Sequence, residues 1–491
     1  MKNIIGITAA LLLSTITAQA ATAEARHTHS VFYPGVNNQP VLQLKITGTP
    51  GEKIKCLKFT TAESTTPNKF KGAQLSASGN RNAYTLHTKN PVIQKGALSS
   101  IHNHFSFNTD IELGDTPLYL WLSYNLPPTI KRDSKVDALC TAIEMADGSI
   151  IKPELKLADG IEERVVGRVY PFPYRIVPYY RPKWVKGWGK SEKAIHLTPE
   201  HFNLFTDLIH FAYSISNQGE ITYQWAGGGN SKKTVDEALA EIKRLHKEAN
   251  SRARLIAGFG FIDKQITAIN NRPAIRRKLA KNMAKWVIER GYQGIDLDWE
   301  YPENANQWNQ FACFLAELRE ELAGSGVSIS IAASVNYRIP TMQVTDQIDF
   351  IVTMSYGSQA AQHASMERYQ REANICVNKL KMPKVKVVLG LPFYSNEQGK
   401  LTDQYGYAQI YKWYPNLKPD VNTFRAKKKD GSDGAMHSFN GRKLIHEKCV
   451  WAKENKFGGV MIWAYETDLP LNHHASLGRT MYKVLRQPKK K

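Results

Sequence analysis

The sequence predicts a (β/α)8 barrel preceded by an all-β sandwich. Three observations carry this. From His27 to about Lys156, short alternating apolar runs are punctuated by Gly, Pro, Asn and Asp, without helical periodicity. From Val165 onward, eight apolar strand-like runs alternate with amphipathic helical stretches. One of those runs, Gly294–Trp299, places acidic residues at every second position, which is unusual for a strand bounded by two helices.

The first segment reads as an address. Lys2 is a basic start, Ile4–Ile16 is a short apolar run, and Ala18-Gln19-Ala20 is a small-x-small cleavage site. Residues 1–20 are therefore expected to be a signal peptide of a secreted protein, periplasmic or extracellular. The run is too short to anchor in a bilayer, and no later run is long enough to span one. The sandwich is expected over residues 27–157, with strands such as Val41–Ile46, Leu118–Tyr124 and Val136–Met145. His102-Asn103-His104 has a metal-like spacing but lacks further ligands and reads as a loop. Five cysteines, Cys56, Cys140, Cys313, Cys376 and Cys449, make an odd set. Cys56 and Cys140 are left either paired or as buried thiols.

The barrel is expected over residues 162–488. Its strands are read at Val165–Gly167, Leu208–Ile215, Arg254–Phe261, Gly294–Trp299, Val327–Ala333, Ile348–Met354, Val385–Phe393 and Gly459–Tyr465. Pro273–Arg290 carries Ile275, Leu279, Met283 and Val287 on one face, with Pro at its start and Gly291 beyond its end, and predicts a helix. Asn306–Leu322 predicts another, with Trp308, Phe311, Leu315, Leu318 and Leu322 on its buried face. The barrel holds every catalytic candidate, so it is expected to fold and act without residues 21–157. Between Tyr394 and Phe457 no strand-rich insertion is evident, which predicts a shallow, endo-acting groove. Trp184, Trp188 and Trp225 fall in loops that either line such a groove or pack locally.

The formal charge is +21, which raises nucleic acid, acidic polymers or an anionic membrane surface as partners. No basic helix, zinc finger or RNA-binding signature accompanies it, and the cations are spread along the chain. A basic solvated surface is the reading, with no nucleic-acid partner.

The chemistry lies in Gly294-Ile295-Asp296-Leu297-Asp298-Trp299-Glu300-Tyr301-Pro302. Alternation puts Asp296, Asp298 and Glu300 on the barrel's inner side and Ile295, Leu297 and Trp299 on its outer side. Three carboxylates in a packed interior raise the pKa of at least one of them. A carboxylic acid still protonated near neutral pH is what cleavage of a glycosidic bond requires. No Lys/Gly phosphate-binding loop accompanies the acidic strand, and no metal or cofactor is expected.

This stretch resembles the D-G-x-D-x-D-W-E-Y-P signature of glycoside hydrolase family 18, the chitinase family. Other segments match the family in order. They are Leu197–Glu200 with Phe205–Tyr213, Ala257-Gly258-Phe259-Gly260 where the family has S-x-G-G, Ile348–Tyr356, Val388–Tyr394, and Phe457–Trp463. Leu113–Tyr124 with Val136–Cys140 resembles the β-sandwich module that precedes some bacterial sialidase domains, which implies a glycan-associated accessory module.

The family resemblance implies roles. Glu300 is implied as general acid and then base. The substrate's own 2-acetamido oxygen is implied as nucleophile, since this family departs from the two-carboxylate scheme. Asp298 would orient the acetamido group and stabilise the oxazolinium, Asp296 would hold and tune Asp298, and Tyr356 would hydrogen-bond the acetamido group. Trp463 would floor the sugar subsite, with Phe261, Met354, Tyr301 and Tyr394 as further substrate contacts. Trp299 alternates outward and reads as core. The chain also departs from the pattern. Gln293 stands for the first Asp, Arg168 for a Tyr after the first strand, Ala257 for the Ser of S-x-G-G, and Gly357 for the Asp after Tyr356. Two lost hydroxyls would leave Asp296 short of partners, so Arg168 is expected to substitute and to face it, or else to turn outward.

The leading expectation is a secreted, retaining hydrolase of β-1,4-linked N-acetylglucosamine acting as a monomer, most simply a chitinase. The alternatives are an endo-β-N-acetylglucosaminidase acting on N-glycan cores, a non-catalytic chitin-binding lectin, and an adhesin in which the sandwich matters most.

Overall fold

The computed structural model describes residues 20–82, 92–96, 103–181, 196–223, 232–261, 263–401 and 405–486. The signal-peptide reading, apart from Ala20, lies outside these residues, as do His102, Trp184, Trp188 and Trp225.

Eight parallel strands close into a barrel. In chain order they are Arg175–Tyr180, Asp207–Ile215, Arg254–Phe261, Gly294–Trp299, Ser328–Ala333, Phe350–Thr353, Val387–Pro392 and Gly459–Trp463. Each pairs with its sequence neighbour, and the first strand pairs with both the second and the eighth, which closes the ring. Helices fill the outer layer. Pro273–Glu289 buries Leu279, Met283 and Val287 and ends before Gly291, whose φ of +64° suits glycine. Ala305–Glu321 is capped by the Asn304 side chain, which accepts from the Gln307 amide.

The first strand is not where the sequence pointed. Gly167–Val169 forms a small sheet with Val31–Phe32 and Lys135–Val136 on the sandwich side. The barrel begins at Arg175-Ile176-Val177-Pro178-Tyr179-Tyr180, and its internal proline hid it, because proline normally argues against a central strand. Here Arg175–Pro178 pair with the eighth strand and Tyr179–Tyr180 with the second, so Pro178 sits where the pairing changes sides.

Among the described residues, two mainly antiparallel sheets make the N-terminal sandwich, with one parallel pairing at the Glu154–Leu155 edge. One has six strands, including Thr22–His27, Gln39–Thr47, Gly72–Gly79 and Leu118–Asn125. The other has four, including Lys53–Thr60, His104–Glu112 and Leu139–Met145. Leu42, Leu44, Phe59, Phe107, Leu120 and Leu122 fill the space between them. All five cysteines are free thiols, and only Cys313 is exposed, so the considered Cys56–Cys140 bridge is not formed.

The sandwich closes the base of the barrel, where the strands start. Arg175 is buried there. Its Nη1 donates to both carboxylate oxygens of Asp207 at 2.8 Å, and its Nη2 donates to the Tyr33 hydroxyl at 2.8 Å. Its guanidinium lies 3.6 Å from the Tyr170 ring centroid and 4.1 Å from that of Phe350. The Tyr170 hydroxyl completes the set by donating to Asp207 at 2.6 Å. Nearby, Asp349 accepts from Arg319 at 3.1 Å and from the Ile329 amide at 2.8 Å, with His29 of the sandwich 3.5 Å away. Val31, Tyr33, Val36 and Tyr170 pack together against Phe172 and Val385. The expectation of an independent barrel therefore meets a base whose buried ions take partners from residues 27–33.

An insertion does follow the seventh strand, contrary to the sequence reading. Tyr394–Glu397, Tyr405–Gly406, Thr423–Lys427 and Asp433–Ser438 form an antiparallel sheet beside the helix Tyr407–Trp413. These strands are short and charged on their outer face, which hid them.

Two outcomes follow. Tyr33→Ala should lower unfolding free energy by about 3 kcal/mol or more, since it removes a buried ring and one of the arginine's acceptors. A chain starting at Ala158 should fare worse still in the same denaturation assay. The second outcome concerns pH. Burial lowers the His29 pKa from 6.5 to about 4, despite the opposing pull of Asp349. The folded state then binds fewer protons than the unfolded state between those values. This contribution to stability is complete above pH 6.5 and is lost as pH falls toward 4. Melting temperatures across that window should fall with acidity, and His29→Gln should flatten the slope.

Candidate active site

The fourth strand delivers the acidic residues because its inner positions alternate. Ile295, Leu297 and Trp299 enter the outer core, and Trp299 Nε1 donates to Asp263 at 2.9 Å. Asp296 and Asp298 turn inward, and Glu300 follows just past the strand's end.

Asp296 is fully buried and doubly held. The Tyr179 hydroxyl, from the first strand, donates to its Oδ2 at 2.5 Å. The Ser330 hydroxyl, from the fifth strand, donates to its Oδ1 at 2.6 Å. Burial pushes its pKa up to about 6, and the two donors hold it down from a higher value. Asp298 lies above it and is raised well above the usual carboxylate range, first by burial, then by the charges of Glu300 and Asp296. Its Oδ1 is buried without a hydrogen-bond partner among the described residues. Glu300 stands at the cavity opening, accessible to solvent yet flanked by protein. Its pKa is also raised by this enclosure, with the Tyr301 hydroxyl favouring the ionised form.

These groups face a cavity of about 220 Å3 at the C-terminal end of the barrel. Asp298, Glu300, Tyr301, Met354, Tyr356, Tyr394 and Trp463 all line it, as do Tyr179, Ala332, Gly357, Leu401 and Met461. Trp463 closes the eighth strand and packs edge-on against Tyr179 and Phe211, with centroids 5.4 Å away in each case. Beside it, Arg181 lies 4.9 Å from the ring and donates to Glu466 at 2.6 Å, both ions being buried. Leu401 comes from the insertion, so the cavity has a wall where a shallow groove was expected.

Two expected residues are elsewhere. Arg168 is exposed on the sandwich-side sheet, where its Nη1 reaches the Asp133 carbonyl at 3.3 Å. It cannot serve Asp296; Tyr179 does. Phe261 is buried with Ala257 and Phe259 in the outer core rather than at the cavity. The S-x-G-G match was placed one residue out of step on the third strand. Gly258, not Ala257, is register-paired with Asp296, and a one-residue slip exchanges the faces of a strand. Tyr179, Ser330, Arg181 and Glu466 were missed. The first and third follow from the misplaced first strand, and Ser330 was visible as an inward polar residue in Ser328-Ile329-Ser330-Ile331.

The model for Glycosyl hydrolases family 18 matches residues 175–468. The chain belongs to glycosyl hydrolases family 18. As a family 18 member it is a glycosidase, and the match starts at the true first strand and leaves the sandwich outside. Chitinase 1 of Aphanocladium album is 26% identical over 321 residues, covering 52% of this chain and 75% of that protein. Probable chitinase 2 of Drosophila melanogaster is 21% identical over 379 residues, covering 63% and 76%. A chitinase structure from Bacteroides thetaiotaomicron aligns with a TM-score of 0.52 at 18% identity, over 65% of this chain and 98% of that one. The class V chitinase of Nicotiana tobaccum aligns with a TM-score of 0.52 at 17% identity, over 64% and 99%. Both structural likenesses speak for the barrel fold.

Tyr179→Phe should raise the Asp296 pKa by about one unit or more, because it removes one of two donors to the ionised form. Carbon-13 NMR titration of labelled aspartates reads this directly. An unmoved titration would mean that the hydroxyl contributes nothing to holding the charge.

Proposed function

We propose that this family 18 glycosidase is a secreted, retaining hydrolase of β-1,4-linked N-acetylglucosamine, most simply a chitinase. The observation that carries the reading is the inward row Asp296–Asp298–Glu300, which ends in a cavity lined by Tyr356 and Trp463. The chitinases among its relatives support the substrate class. The apolar run behind Lys2 supports export, and among the described residues no helix is long and apolar enough to cross a membrane.

Each group has a role that fits its surroundings. Glu300, its proton retained by enclosure, donates that proton to the departing glycosidic oxygen. The acetamido oxygen of the same sugar attacks C1 as that bond breaks, which yields an oxazolinium and a shortened glycan. Asp298 offers its unpartnered Oδ1 to the acetamido N–H and carries charge opposite the ring that forms. Asp296, fixed by Tyr179 and Ser330, sets how readily Asp298 ionises. Tyr356 borders the acetamido side, and Trp463 gives the sugar face an apolar floor. Glu300, now a base, then takes a proton from water, whose oxygen attacks C1 and reopens the ring.

Glu300→Gln should lower kcat by about 10²–10⁴ or more while oligosaccharide binding persists, as read by tryptophan fluorescence. Undiminished turnover would remove Glu300 from the acid's role. Proton NMR of fresh product should show the β-anomer, because two inversions at C1 restore the configuration; an initial α-anomer would exclude the acetamido route. Mass spectrometry of products from chitin oligosaccharides and from a high-mannose glycoprotein, run side by side, separates a chitinase from an endo-β-N-acetylglucosaminidase.

A further inference from the structure

Tyr356 and Gly357 border the catalytic carboxylates, yet they belong to no strand. They open the loop between the sixth strand and the helix Met366–Asn378. Gly357 has φ +71°, and its amide crosses the loop to donate to His363 Nδ1 at 3.2 Å. The loop's shape therefore depends on what holds its carbonyls.

Two buried basic side chains hold them. Arg368, on that helix, grips both ends of the loop. Its Nη2 donates to the Met354 carbonyl at 3.4 Å and its Nη1 to the His363 carbonyl at 3.2 Å. Its Nε is paired with Glu372 at 2.7 Å. Lys448, on the helix Arg442–Glu454, is wholly buried and donates to the next carbonyl, that of Ala364, at 2.7 Å. It also donates to Asn440 Oδ1 at 2.7 Å, and Asn440 in turn donates to Ala364 O at 3.0 Å. Burial, with Arg368 nearby, brings the Lys448 pKa down from 10.5 to about 7, and hiding two basic groups beside one carboxylate costs free energy that an apolar residue would avoid. The neighbours of Lys448 on its own helix, Ile445, Cys449 and Ala452, are apolar and fill the core without charge.

We propose that Lys448 and Arg368 are positioning residues for hydrolysis: together they clamp residues 354–364 so that Tyr356 and Gly357 keep their places beside Asp298 and Glu300. The clamp rests on the hydrolase reading of the site, and its first test is Lys448→Met, which keeps the stem and removes the donor. Lys448→Met takes a donor from Asn440 Oδ1, while Asn440 Nδ2 still serves the Ala364 carbonyl, so part of the network survives. The melting temperature should fall by only a few degrees, while kcat on chitin oligosaccharides, measured well below it, falls about tenfold to a hundredfold, with a smaller change in KM. Amide hydrogen exchange across residues 356–364, read without substrate, should quicken. Asn440→Ala, which removes a neutral donor to the same carbonyl, should give a weaker version of both effects and serves if Lys448→Met fails to fold. Unchanged exchange, or unchanged kcat and KM, would overturn the clamp. A wild-type chain inert toward chitin oligosaccharides would sink the substrate reading instead, and the exchange measurement would still decide whether the two basic side chains hold the loop.

Discussion

The site depends on one buried carboxylate held by two hydroxyls. Asp296 has no solvent to ionise into, so its charge state is set by Tyr179 and Ser330. Those donors come from the first and fifth strands, while Asp296 is on the fourth. The contact therefore crosses the barrel interior and ties its closure to the electrostatics of the site. Everything above it inherits that state. Asp298 feels the charge beneath it and the charge of Glu300 above, and its own burial leaves it little water to offset either. Trp463 packs on the same Tyr179 ring, so the apolar floor and the acidic row share one support.

A second concentration of buried charge sits at the opposite end. Arg175, Asp207, Arg319 and Asp349 are placed where the strands begin, and each ion finds its partners within the layer between barrel and sandwich. Burial alone would raise the Asp349 carboxyl, but Arg319, His29 and Lys386 hold it well below the usual range. Such pairs add little net stability when complete and cost several kcal/mol when one member is removed, about 3–5 in typical cases. That asymmetry makes the sandwich part of the barrel's base.

Much of this was legible in the sequence, and the failures share a cause. The eight-strand count was right in number because one false strand replaced a true one. Period-two alternation correctly sent Asp296 and Asp298 inward and Trp299 outward. The S-x-G-G likeness misled at the third strand, where it put Ala257 rather than Gly258 beside Asp296. Glycines at 258 and 260 leave that strand with little pattern to fix its phase. Pro178 concealed the first strand, and with it Tyr179, so the need for a partner to Asp296 was seen but assigned to Arg168. The Arg368–Lys448 clamp had no local signature, since its two basic side chains are far apart in sequence and meet only through carbonyls of a loop.

The sandwich and the cavity occupy opposite ends of the same barrel. His29 and Tyr33 meet the strands where they start, and Glu300 and Trp463 stand where they finish. A molecule tethered to a surface through its sandwich would hold its cavity away from that surface, like a lamp on a stand. The chain that enters the cavity would then come from a neighbouring strand or from the surrounding medium, not from the one underfoot. A sandwich used in that way would set the orientation and reach of the enzyme, and would leave the choice of bond to the far end.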